Sequence, residues 1–233
     1  MKNILLASTS TLFGEAYLAY LREEIQQLFK DTSQVVFIPY ARPSGISHEE
    51  YTRIAAEFFK DLGKELIGLH EFDNPKEAIT NAKGFLTGGG NTFLLVKQLH
   101  EQNLMELIKQ QVEKGIPYLG TSAGSNIAGI NVKNTNDMPI VYPPSFDAMS
   151  IIPFNINAHY LDPDPNSKHN GETRETRIKE FHVFNDIPVI GLREGSWIRV
   201  KGNVVKTEGK YTSRIFLPQQ VPYELAVGSE IKF

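Results

Sequence analysis

The chain has 233 residues, 41% of them hydrophobic and 22% charged, with a formal net charge of −3. That length suits one α/β domain with a sizeable core, and the charge balance gives no basic face of the kind nucleic-acid binding needs. There is no cysteine, which excludes disulfides, thiolate metal sites and a cysteine nucleophile, and no apolar run reaches the roughly 18 residues of a membrane span.

The opening MKNILLASTS holds an apolar run of about five residues before Ser8, too short for a secretory h-region, so residues 4–7 read as a first buried strand. Leu12, Phe13, Ala16, Tyr17, Leu21, Ile25, Leu28 and Phe29 form an apolar stripe that predicts a helix. Residues 35–38 are a second buried strand. Tyr51, Ile54, Ala55, Phe58, Phe59 and Leu62 recur at helical spacing. Residues 85–87 form a third strand, closed by GGGN (Gly88 to Asn91), which opens another helix. After a break near Asn103, Leu104, Leu107, Ile108 and Val112 mark a further helical stripe, and residues 117–119 a fourth strand. This alternation predicts an α/β fold of the flavodoxin-like kind. Its central sheet is mostly parallel, with helices on both faces and ligands beyond the carboxyl ends of the strands.

Residues 131–170 are rich in Asn, Pro and Asp with little periodicity, a stretch long enough to be functional loop structure. A helix is expected over residues 171–184, strands over 189–192 and 197–200, and a C-terminal β-hairpin over 202–217 with Gly209 near its turn. With no repeat and no linker, residues 1–233 read as one domain. The lack of cysteine suits a cytoplasmic location.

GTSAG, residues 120–124, matches the nucleophile-elbow pattern G-x-S-x-G and stands between a strand and a helix-like segment, which is the setting an elbow requires. Small neighbours permit the strained serine backbone, and the helix N-terminus offers N–H groups to an oxyanion. A tight turn with a capping serine explains the same five residues. In a parallel sheet the GGGN loop would lie beside the elbow, so that the Gly90 and Ala123 N–H groups could form one oxyanion hole. Ser122 needs a base. Of six histidines, His48, His70 and His100 lie on or beside helices, His182 lies late in a helix, and His159 and His169 lie in the irregular region. His159 follows IIPFNINA and would emerge at a strand end. Asp137 in NTNDMP and Glu194 in LREGSW both qualify as the carboxylate that orients it. Arg174 shares a helix face with Ile178 and Phe181, so it is drawn inward, where it would suit a carboxylate ligand or an ion pair with Glu172, Asp162 or Asp164. No metal motif is present, and none is expected.

GGGNTF, GTSAG, NTNDMPIV, INAHY, GETRETRI and LREGSW occur in that order. In this combination the chain resembles peptidase E, the α-aspartyl dipeptidase family of serine peptidases, over nearly its full length. The resemblance implies an architecture like the class I glutamine amidotransferases, with serine at the elbow. It also implies a cytoplasmic, metal-independent and cofactor-free enzyme that hydrolyses Asp-X dipeptides. Carried over residue by residue, it makes Ser122 the nucleophile, His159 the base, Gly90 and Ala123 the oxyanion donors, and Arg174 the receptor of the substrate aspartate; Asn91 is a second expected substrate-binding residue. It leaves Asp137 and Glu194 both matched. Glu194 is the favoured contact of His159, because it completes the order nucleophile, histidine, acid. The loop at 162–170 departs from the family pattern. Two rival readings are a same-fold hydrolase of other acidic amides, such as a cyanophycinase-like peptidase, and a non-catalytic binding protein. A dipeptide is the expected partner, with no nucleic acid and no membrane, and the chain would act as a monomer or homodimer.

Overall fold

Along β1 (Asn3–Ala7), Ile4 and Leu6 face one side of the sheet and Leu5 and Ala7 the other, and all four are fully buried. A strand buried on both faces needs a layer of helices on each, and the computed structural model has them. It describes every residue except 165, 167, 169 and 170. On one face α1 (Arg22–Leu28) and α2 (His48–Lys60) pack with Leu5, Phe37, Leu86 and Leu119. On the other, α3 (Pro75–Asn81), α4 (Thr92–Glu101) and α5 (Met105–Lys114) pack with Ile4, Leu6, Val36, Ile38, Phe85 and Tyr118.

The strands between them are β2 (Gln34–Ile38), β3 (Glu65–Gly68), β4 (Phe85–Thr87) and β5 (Tyr118–Thr121). The order β3-β2-β4-β5-β1 is parallel throughout. It is extended by the antiparallel strands β8 (Ser196–Lys201) and β9 (Val204–Gly209). After β5 come α6 (Ala123–Asn126), β6 (Asn155–Ala158), α7 (Arg174–Phe184) and β7 (Val189–Leu192). β6 and β7 run parallel in a second sheet, completed by β10 (Ser213–Phe216) and β11 (Tyr223–Leu225) in the order β11-β10-β7-β6.

The fold class read from the sequence is the one observed, and three of the expected elements have other bounds. The stripe from Leu12 to Phe29 is not one helix. Gly14 at φ 78° and Leu18 at φ 57° bend the chain, Phe13 is fully exposed, and only a 3-10 turn (Ala19–Leu21) followed by α1 is helical. The helix expected from residue 171 begins at Arg174, because the Thr173 hydroxyl caps it by accepting the Thr176 N–H at 3.1 Å. The C-terminal hairpin is β8–β9, not 202–217. Its turn is at Gly202, φ 62°, while Gly209 packs against Gly195 and Ser196 where the chain leaves the first sheet for the second.

Candidate active site

β5 delivers Ser122 to the carboxyl edge of the sheet with φ 53° and ψ −112°, a backbone state that an L-residue holds only under constraint. The constraints are visible. Ser122 N–H donates to Ala7 O of β1, and the two elbow glycines allow contacts that no other residue could make. A Cβ on Gly120 would sit 2.4 Å from Gly124 O, and one on Gly124 would sit 2.2 Å from Thr87 O of β4. The Ser125 hydroxyl ties the turn down by donating toward Ala7 O and Gly120 O.

The neighbouring β4 ends in the glycine loop. Gly88 N–H donates to Ile38 O, Gly89 N–H to the Tyr51 hydroxyl, and Asn91 N–H to Ala41 O. Gly90, at φ 145° with Ala41 O pressed against its Cα, is the residue skipped. Among the described residues neither Gly90 N–H nor Ala123 N–H has an intramolecular acceptor. Gly90 lines one cavity with Ser122, and Ala123 is the first residue of the helix behind it, so this pair of N–H groups is free to meet an oxyanion.

His159 and Glu194 arrive together because β6 and β7 are parallel and in register, with Ala158 opposite Leu192. His159 is the residue after β6, at φ 54°, and its N–H donates to the Ser8 hydroxyl, which in turn donates to Leu192 O. His159 Nε2 lies 2.8 Å from Ser122 Oγ, and Nδ1 lies 2.6 Å from Glu194 Oε1. The turn that carries Glu194 is braced by Arg193. Its guanidinium bonds Asp162, Glu224 and the Thr212 carbonyl, and those carboxylates hold its pKa above the ordinary arginine value.

Asp137 is elsewhere. Its Oδ2 accepts the Thr92 N–H at 2.7 Å, at the start of α4, and it has no hydrogen bond to His159. It lines the same cavity of about 290 Å³ as Ser122, His159 and Gly90. The Asn-rich approach to it is explained by side-chain amides standing in for a strand ladder beside β6. Asn155 Oδ1 accepts from the Ile130 and Asn131 N–H groups, Asn134 donates to Ile156 O, and Asn136 and Asn157 exchange amide hydrogen bonds. The Asn91 Oδ1 caps α4 by accepting the Leu94 N–H and its Nδ2 donates to Met138 O, so the amide holds the loop and keeps one N–H uncommitted.

Arg174 lines the adjoining cleft of about 550 Å³ with Asn136 and Thr173, not the serine cavity itself. Of the three carboxylates that could have paired with it, Glu172 is taken by Arg177 and Asp162 by Arg193, while Asp164 lines the same cleft and accepts the Asn166 N–H. Among the described residues Arg174 has no ion-pair partner. Partial burial lowers its pKa, the charge of Arg177 acts in the same direction, and the charge of Asp137 opposes them. Of the other histidines, His100 and His182 bond backbone carbonyls, His48 packs against His70 with the rings tilted by 58°, and His169 lies outside the described residues. The described residues hold no group of three or more His, Asp or Glu that could bind a metal, and no helix is long and apolar enough to cross a membrane.

Comparison with known proteins places this arrangement. A family model described as Peptidase family S51 matches residues 4–207. The chain belongs to Peptidase family S51. Peptidase E of Streptomyces coelicolor is 43% identical over 229 residues, which is 98% of this chain and 93% of its own. A Drosophila melanogaster protein named "Probable alpha-aspartyl dipeptidase" is 40% identical, over 100% of this chain and 97% of its own. The crystal structure of a peptidase from an acI-B1 actinobacterium shares the fold, with a TM-score of 0.75 at 20% identity over 100% of this chain and 97% of that one.

Sequence reasoning missed some groups of this S51 site. Thr9, Ser10 and Arg42 line the serine cavity, and Ser8 and Tyr51 hold His159 and the glycine loop from behind. The signal for them was topological. Thr9 and Ser10 follow β1 and Arg42 follows β2, at the carboxyl edge where parallel sheets place ligands.

Proposed function

We propose that this S51 peptidase is a serine dipeptidase that hydrolyses dipeptides with an N-terminal aspartate, residues 1–233 acting as one cytoplasmic peptidase domain. The observation that carries the reading is the hydrogen-bonded line from Ser122 Oγ to His159 Nε2 at 2.8 Å and from Nδ1 to Glu194 at 2.6 Å, facing two unoccupied backbone N–H groups. Glu194 keeps the Nδ1 proton in place, so Nε2 is the acceptor. Ser122 Oγ attacks the carbonyl carbon of the aspartyl residue while its proton passes to Nε2. The oxyanion sits on Gly90 N–H and Ala123 N–H. Nε2–H then protonates the leaving amine, the C–N bond breaks and the second amino acid departs. Water, deprotonated by the same nitrogen, cleaves the acyl-serine ester and releases aspartate.

Substrate choice follows from the neighbouring opposite charges. An N-terminal aspartate carries an ammonium group and a carboxylate on adjacent carbons, and Asp137 and Arg174 offer the complementary pair. The name of the Drosophila relative supports the same substrate class. Rates on Asp-Leu, Asn-Leu, Glu-Leu and acetyl-Asp-Leu test it. A strong preference for Asp-Leu is expected, because Asn-Leu leaves a guanidinium poorly paired and acetylation removes the ammonium charge. Equal rates on all four would overturn the assignment.

A further inference from the structure

One charged side chain in the serine cavity has no part in the chemistry above. Arg42 follows β2 and shares the cavity with Ser122, Gly90 and Asp137. Its guanidinium carbon lies 4.8 Å from the centroid of the Tyr51 ring, and Tyr51, itself 2% exposed, takes the Gly89 N–H on its hydroxyl. The ring that supports Arg42 is therefore tied to the loop that carries the Gly90 N–H. Among the described residues Arg42 has no carboxylate partner, and its Nε is buried with no acceptor. A guanidinium stacked on an aromatic face keeps its N–H edge in a fixed plane, the arrangement that takes up a carboxylate in two bonds. A buried donor left open in the free protein gains its partner on binding.

We propose that Arg42 binds the C-terminal carboxylate of the dipeptide and so makes the enzyme selective for substrate length. The proposal rests on the Asp-X reading above. A zwitterionic Asp-X dipeptide has three charged groups. Two belong to the aspartyl residue and match Asp137 and Arg174, whose charges already act on each other. The third is the terminal carboxylate, and among the described residues Arg42 is the cation that lines the serine cavity. In a tripeptide that carboxylate moves about 3.5 Å further along the chain and a neutral amide takes its place before Arg42.

The test compares kcat/KM for Asp-Leu, Asp-Leu amide and Asp-Leu-Leu in the wild type, Arg42→Gln and Arg42→Ala. The wild type is expected to favour the free acid over the amide by about ten- to a hundredfold, the range of a hydrogen bond between charged groups. In both variants that ratio falls toward one while Asp-Leu stays ahead of Asn-Leu. The wild-type comparison needs no variant and stands even where a variant folds poorly. A wild type that cleaves acid and amide alike overturns the proposal. So do variants that slow both substrates in parallel, which would make Arg42 a support for Tyr51, and variants that instead lose the preference for Asp over Asn, which would place the β-carboxylate on Arg42. A wild type without preference for Asp-Leu over Asn-Leu overturns the reading of function, an outcome distinct from these.

Discussion

Two regions of the site are built in opposite ways. Ser122, His159 and Glu194 each stand one or two residues past the end of a buried strand, in positions set by backbone register, two of them in left-handed backbone states. Asp137 and Arg174 come from a long excursion and from the first residue of α7, and their segments are held by side chains: the asparagine ladder along β6, the Asn91 clamp on Met138 O and the Thr173 cap. The residues proposed for acyl transfer are thus fixed by the sheet, whereas the charges proposed to meet the substrate hang on replaceable hydrogen bonds. Bond-making atoms tolerate little displacement, while charge recognition acts over several ångströms and can be retuned by loop changes.

That division can be broken at four points, in falling order of effect. Ser122→Ala should lower kcat by about 10⁴- to 10⁶-fold with little change in substrate affinity, read by single-turnover kinetics and by calorimetry on the inactive protein. The next comparison sets Glu194→Gln against Asp137→Asn. Loss of the tautomer-holding carboxylate should cost about 10⁴ in kcat, whereas Asp137→Asn should act mainly on KM, by about ten- to a hundredfold. The reverse pattern would give Asp137 the triad role. Gly90→Ala should cost about 10²- to 10³-fold in kcat/KM, because a Cβ there would lie 2.2 Å from Ala41 O and force the oxyanion N–H out of place. Least affected is the acid limb of stability. Hydrogen bonds from Arg193 hold Asp162 and Glu224 below the usual carboxylate range. Folded values below the unfolded ones mean that this stabilisation is present above about pH 4 and drains as pH falls through the lower folded values. Arg193→Gln should flatten that limb in urea titrations from pH 5 to 2, and a variant with an unchanged slope would remove the brace from the account.

Much of this was legible in the residues. Buried strands announce themselves as short apolar runs, and Gly120, Gly124 and the GGGN loop announce close backbone approaches, so the sheet, the elbow and the glycine loop could be placed in order. β3 and α3 were not read, because Glu65–Gly68 is short and carries a charged residue, and α3 is a seven-residue helix. The stripe from Leu12 to Phe29 misled because apolar spacing does not register the backbone break at Gly14 and Leu18. The cap that Asn91 makes on α4 was not read, since a capping asparagine and a substrate-binding one look the same in a sequence.

By itself the sequence determined the α/β fold class, the strained serine at a strand-to-helix turn, the absence of thiol chemistry and the family resemblance, because these depend on local residue type and periodicity. Only the tertiary structure decided that β6 and β7 leave the central sheet to form a second one. Their parallel register sets Glu194 rather than Asp137 against His159, and the loop after β2 brings Arg42 to the same cavity. Strand pairing joins residues 35 positions apart, and no local pattern encodes which strand ends will meet.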